Sequence, residues 1–376
     1  MLRRLSLGLL AGAALLAPTV ATAGPALVFE PFNGTVFYSE DPDAPWFPAS
    51  LTKLMTAYVT FQALKDGKIK PDDKLVCTQA AASQAPSKLW LPVGGEITVD
   101  IGLKVLIVKS ANDVAVMLAE KVGGSQDAFV AQMNEAAKRL GMTRTTFVNV
   151  NGLPDDRQVT TARDLAKLAR AIIVEFPEYA SLFALPQVQV GNKLIRTHNG
   201  MLVDFEGADG MKTGFICDSG FNIVASATRD GRKLVAVVLG EITPASRRDR
   251  ASNLLENGFK RYFWKSVFGT SIDGLAVQVS LSDGPTHLRD NVCGAGRPKR
   301  GGRRARSGPK SKKLHGLNAA QANRPHLSAL PVAAHAPTLR LHPPYFVACS
   351  LRRRWRTRLR APRQCRGRGG RRRAAM

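Results

Sequence analysis

The run Pro48-Ala49-Ser50-Leu51-Thr52-Lys53, continued by Leu54-Met55-Thr56-Ala57-Tyr58-Val59-Thr60-Phe61-Gln62-Ala63-Leu64, decides how this chain folds. Leu51, Leu54, Met55, Tyr58, Val59, Phe61 and Leu64 place apolar groups on nearly every face of a helix. That pattern suits a helix buried in a core and ended near Gly67. Ser50 stands at its start, and Lys53, three residues on, shares its face and lies within reach. A serine hydroxyl is a poor nucleophile unless a neighbouring base takes its proton. A lysine desolvated near other cations has its pKa lowered enough to act as that base. Alone, the S-x-x-K spacing more often describes a capping serine beside a surface lysine. The apolar helix around it would instead bury Lys53, and a buried lysine needs a task.

Working outward, Ala26 to Tyr38 reads as a hairpin around Asn33-Gly34. Thr98 to Val108 and Asn112 to Val122 read as helices, the second stopped by Gly123-Gly124. A further helix is expected from Gln126 to Leu140, with Ser125 as N-cap and Gly141 as stop. Thr161 precedes another through about Val174, with Asp164 near its positive end. Past Pro186 the pattern becomes strands: Gln187 to Arg196 as one, then Phe221 to Thr228 and Lys233 to Leu239 as a hairpin around Asp230-Gly231. A last helix is expected from Arg247 to Tyr262. Strands at both ends with helices between predict an α+β domain whose antiparallel sheet joins the two ends of residues 24–270. Residues 271–290 read as a poorly defined extension.

Two later motifs carry chemistry. Ser110-Ala111-Asn112 falls on a tight loop between two helices, where serine and asparagine also serve as ordinary caps. There Ser110 can relay a proton, and Asn112 can hold Lys53 or a substrate carbonyl. Lys212-Thr213-Gly214 falls at the start or edge of a strand, supplying a cation, a hydroxyl donor and a glycine that admits a ligand to the backbone. An extended peptide could then add along that edge.

S-x-x-K, S-x-N and K-T-G in this order form the signature of penicillin-interacting serine enzymes. With Thr161-Ala162-Arg163-Asp164-Leu165-Ala166 and Asp209-Gly210-Met211-Lys212-Thr213-Gly214-Phe215, the chain resembles the low-molecular-mass penicillin-binding proteins from about Pro25 to Trp264. Within that group it is most similar to the D-alanyl-D-alanine carboxypeptidases. The resemblance implies the serine β-lactamase/penicillin-binding-protein-like transpeptidase fold, peptidoglycan stem peptides as substrate and β-lactams as inhibitors. It implies Ser50, Lys53 and Ser110 as catalytic residues, with Asn112, Lys212, Thr213, Gly214 and Phe215 binding substrate. The N–H groups of Ser50 and Phe215 would form an oxyanion hole. Arg247 falls where the family carries an arginine for the terminal carboxylate, with Arg248 leaving the register open by one. A D,D-endopeptidase would use the same motifs. A class A β-lactamase is disfavoured, because no E-x-x-L-N run lies between the second and third motifs.

Composition bounds the rest. Residues 291–376 hold 23 Lys and Arg and no Asp or Glu, which leaves 31 basic and 29 acidic side chains in the first 290. The net charge of +25 therefore belongs to the tail. Basic low-complexity runs there read as disordered, whether a genuine tail or the product of a shifted reading frame. As a genuine tail it would meet anionic lipid or wall polymer, an alternative polyanion-binding role; nucleic acid is not expected in an exported protein. Arg3 and Arg4, the apolar Leu5 to Leu16, and Ala21-Thr22-Ala23 read as a cleavable signal peptide over residues 1–23, hence a periplasmic protein. Five cysteines leave one thiol over and do not reveal their pairing; Cys217 reads as a small apolar filler. With only His198 and His287 ahead of the tail, no metal or cofactor is expected, and His198 reads as structural.

Overall fold

A computed structural model describes residues 24–278 and 284–294. The chain opens with β1 (Ala26–Phe29) and β2 (Val36–Glu40), then enters α1 (Thr52–Lys65). A helical region follows: β3 (Lys74–Val76), α2 (Gln79–Ala82), β4 (Glu96–Thr98), α3 (Val99–Val108), α4 (Asn112–Gly123), α5 (Gln126–Arg139), α6 (Ala162–Glu175) and α7 (Ala180–Phe183). The chain returns through β5 (Gln187–Val190), β6 (Lys193–Arg196) and α8 (Met201–Asp204) to the long strands β7 (Ala208–Ile216), β8 (Gly220–Arg229) and β9 (Arg232–Glu241). It ends with α9 (Pro244–Lys260), α10 (Tyr262–Phe268) and α11 (Arg289–Val292).

Five strands pair antiparallel in the order β2-β1-β9-β8-β7, so the first and last strands of the sequence share one sheet and β7 is its edge. Side chains alternate across a strand, and β9 shows it. Leu234, Ala236 and Val238 face α9 with Val28, Ala251 and Leu255, while Val235, Val237 and Leu239 join the larger core under the helices. A sheet covered on both faces explains why Leu234–Leu239 is apolar without alternation. α1 is buried almost all round, Lys53 included, as its sequence demands.

Five expectations need correction. Gln187–Arg196 is not one strand but the hairpin β5–β6, turned at Gly191 with φ +55°. The last long helix starts at Pro244, three residues before Arg247, because Thr243 is its N-cap and forms a reciprocal cap with Ser246. Residues 271–278 are packed rather than ill-defined: Ile272 is buried, and Arg163 donates to the carbonyls of Ile272, Leu275 and Ala276. The body also takes in residues 291–294, since Val292 is buried and Cys293 forms a disulfide with Cys217. Cys217 is therefore a bridge half and not a filler. Cys77 is a buried free thiol. The signal-peptide segment 1–23 and the basic tail from 295 on lie outside the described residues. No helix among those described is long and apolar enough to cross a membrane.

Candidate active site

Ser50 sits in a short 3₁₀ turn, Ala49–Leu51, that feeds straight into α1. Ala49 has φ +49°, a conformation L-residues rarely hold without surrounding support. Support comes from two sides. Asn222, buried on β8, donates from Nδ2 to Phe47 O at 3.0 Å and accepts from Gly240 N at 2.9 Å, tying the turn to the sheet. Gly152 presses from the other side; with φ +83°, a Cβ there would stand 1.8 Å from Ala49 O. Only glycine fits.

Lys53 is fully buried. Its Nζ donates to Asn112 Oδ1 at 2.7 Å and to the carbonyl of Asn151, and lies 3.0 Å from Ser50 Oγ. Burial, then the nearby Lys212 charge, push its pKa well below the usual lysine value. A neutral amine has two N–H donors and one lone pair. Two partners here can only accept, so the lone pair is left to face the Ser50 hydroxyl. This arrangement suits removal of the Ser50 proton.

Ser110 lies between α3 and α4 with φ +59°, and Asn112 opens α4. The segment before them is tied in place: Asn112 N donates to Ser87 O, Asn112 Nδ2 to Ala85 O, and Asp113 accepts from the N–H groups of Leu89 and Trp90. Of the two roles open to Asn112, the structure has its oxygen on Lys53.

Lys212, Thr213 and Gly214 lie within edge strand β7 rather than at its start. Lys212 Nζ donates to Ser110 Oγ at 2.8 Å and to Thr213 O at 2.9 Å. Burial and then Arg247 lower its pKa to about 7. Gly214 is needed for closeness, because a Cβ there would meet Pro48 O at 3.0 Å and Ser50 N at 3.2 Å. Phe215 follows it and stacks on Phe221 at 4.3 Å between ring centroids.

A cavity of about 650 Å³ opens over these groups, lined by Ser50, Ser110, Asn112, Thr213, Phe215 and Arg247 among others. Arg247 is buried; its Nη1 makes only a long 3.5 Å bond to Asn222 O, and its Nε has no partner. Burial, then Arg248, lower its pKa to about 10. Arg248 instead pairs with Asp204 at 2.8 Å on the surface. The register between the two arginines is thus fixed by geometry: Arg247 is the one facing the cavity. His198 also lines it. Sequence reading missed Asn151, Gly152, Asn222 and Asp113; the Asn151-Gly152 pair was the available signal, a turn dipeptide between periodic segments.

An antiparallel sheet backed by a helical cluster, with a serine and two lysines in the crevice between, is the serine β-lactamase/penicillin-binding-protein-like transpeptidase fold. A family model described as D-alanyl-D-alanine carboxypeptidase matches residues 13–243, and the chain belongs to that family. It is 38% identical over 243 residues to D-alanyl-D-alanine carboxypeptidase DacC of Escherichia coli, covering 62% of this chain and 60% of that protein. To DacF of Bacillus subtilis it is 33% identical, covering 63% and 62%. It thus spans about three-fifths of the length of these curated relatives. Among solved structures, penicillin binding protein 5 from Haemophilus influenzae superposes with a TM-score of 0.62 at 34% identity, covering 65% of this chain and 73% of that one. Penicillin-binding protein D2 from Listeria monocytogenes, in its cefotaxime-bound form, gives 0.58 at 31% identity, covering 63% and 97%.

Proposed function

We propose that this protein is a serine D,D-carboxypeptidase that removes the terminal D-alanine from peptidoglycan stem pentapeptides and is inhibited by β-lactams. The observation that carries the reading is the buried Lys53 amine, with two acceptors fixed and one direction left for the Ser50 hydroxyl. Ser50 Oγ attacks the carbonyl between the last two D-alanines while Lys53 takes its proton. The developing oxyanion lies at the N–H groups of Ser50 and Phe215, a contribution typically worth a few kcal/mol. Ser110 accepts a hydrogen bond from Lys212, so its own O–H is available to protonate the departing amine, and Lys212 resupplies that proton. In deacylation water gives its proton to the Ser110–Lys212 pair, and Lys53 returns one to Ser50, which restores both lysines.

Lys212, Thr213 and Arg247 hold the terminal carboxylate. The unpartnered Arg247 Nε and its weak bond to Asn222 favour this, since a buried guanidinium is stabilised by a carboxylate that uses its open donors. Export by residues 1–23 would deliver the enzyme to the periplasm, where such stems occur. The test is labelling of the mature protein with a fluorescent penicillin, mapping of the modified residue, and assay of D-alanine release from pentapeptide and from cross-linked dimer. Label on Ser50 with release from pentapeptide is expected. Undiminished release after Ser50→Ala would overturn the mechanism, and release from the dimer alone would make the protein an endopeptidase.

A further inference from the structure

Residues 284–294 come back to the mouth of the cavity after the body is complete. Leu288 N donates to Asp218 O at 2.8 Å, and Leu288 lies over Gly220, where a Cβ would approach it to 3.0 Å. The His287 ring stands edge-on to Phe47, three residues before Ser50, at 5.0 Å between centroids. Arg289 grips Asp218 with two donors, Nε to Oδ1 at 3.1 Å and Nη2 to Oδ2. Within this segment only Val292 is buried. So little apolar area cannot by itself hold eleven residues in place. The Cys217–Cys293 disulfide does, closing a sequence separation of 76. With the segment held, Arg289 becomes part of the lining of the Ser50 cavity.

The direction of β7 tells which part of a substrate Arg289 meets. Lys212 and Thr213 lie mid-strand, and Ile216, Cys217 and Asp218 follow. A peptide held by its terminal carboxylate at Lys212 and added antiparallel along the β7 edge advances about 3.3 Å per residue toward that turn. Its acyl D-alanine draws level with Ser50 and Phe215, and the residue before it draws level with Cys217 and Asp218. A guanidinium carries five donors in a fixed fork. Asp218 takes two, and the remaining three have no partner among the described residues. The Arg289 side chain is 58% exposed, so those donors can be reached.

We propose that Arg289, held in position by the Cys217–Cys293 bridge, is a specificity-determining residue that binds a free carboxylate on the stem residue preceding the acyl D-alanine. This rests on the carboxypeptidase reading above. Small acylating agents that end short of Asp218 would not sense it.

The test uses the full-length oxidised protein and three N-acetylated tripeptides, Xaa-D-Ala-D-Ala, with glutamate, glutamine or alanine at Xaa. For an exposed charge pair the preference for glutamate over glutamine in kcat/KM is expected to be about fivefold. Arg289→Gln should abolish that preference while leaving the alanine peptide and the rate of penicillin acylation unchanged. The double variant Cys217→Ser with Cys293→Ser should lose the same preference, with the penicillin rate reporting that the site is intact. Absence of a glutamate preference, or its survival in Arg289→Gln, overturns the inference. Failure to release D-alanine from any of the three would count against the carboxypeptidase reading itself.

Discussion

Lys53 and Lys212 are both buried amines that reach a serine, yet one belongs to the helical wall and the other to the sheet edge, and their surroundings differ. Lys53 has two carbonyl-type acceptors and no carboxylate within bonding distance. Lys212 stands beside Arg247 and bonds Ser110, both of which line the cavity. Burial lowers the pKa of each. Each is lowered further by a neighbouring cation, Lys53 by Lys212 and Lys212 by Arg247, so their hydrogen-bond partners separate them: the Asn112 and Asn151 oxygens at Lys53, the Ser110 hydroxyl at Lys212. In the proposed mechanism the same residue type acts as base in one wall and as anchor in the other.

Replacing Lys53 should break that division most severely. Lys53→Met removes the proton acceptor and is expected to slow acylation by a fluorescent penicillin about a thousandfold, in the range for general-base catalysis. A near-normal labelling rate in a folded variant would show that another group activates Ser50. Lys212→Met should be milder, lowering kcat/KM for a D-Ala-D-Ala peptide roughly 10- to 100-fold, as for a hydrogen bond to a charged group. A substrate with an amidated C-terminus should lose less in this variant than the free acid does, because it forgoes the carboxylate contact and needs Lys212 only for the proton relay through Ser110.

The pH dependence sharpens the contrast. Acylation should rise with pH as Lys53 loses its proton, and carboxylate binding should weaken above about 7 as Lys212 loses its charge. Lys212→Arg, which stays cationic, should remove the descending limb from the kcat/KM profile. Stability carries the opposite sign to catalysis at the alkaline end. The folded-state pKa of Lys212 is about 7 against a usual 10.5, so between those values the unfolded chain binds more protons. Tm should therefore increase from pH 7 to pH 9.5, and Lys212→Met should flatten that increase. Arg248→Ala provides the smallest effect: its half-exposed pair with Asp204 predicts under about 0.5 kcal/mol in stability and unchanged kcat/KM. Arg247→Ala, one residue away, should lower kcat/KM for peptides bearing a free carboxylate.

Much of this contrast was legible in the sequence because it rests on local signals. An α1 apolar on all faces announces its own burial and that of Lys53, and glycine stops and Ser or Thr caps bound the other helices. What escaped detection depends on pairings between distant residues. The carbonyl of Asn151 meets Lys53 across 98 positions, and a backbone oxygen leaves no mark in a side-chain pattern. Gln187–Arg196 alternates as well for a hairpin as for a strand, so only Gly191 could have revealed the turn. Cysteine spacing did not single out Cys217 and Cys293, because the fold brings them together only after β7 and the last segment are placed.

The buried pair of Arg163 and Asp43 has a practical consequence for anyone shortening this chain. The guanidinium bonds both Asp43 oxygens, and its other N–H groups are spent on three carbonyls between 272 and 276. A protein cut at residue 270 would strand those donors in an apolar interior, where an unmet polar group costs about 1–3 kcal/mol. Expression boundaries for crystallography or inhibitor screening therefore belong beyond Gly294, where the guanidinium keeps its clasp and the cystine is whole.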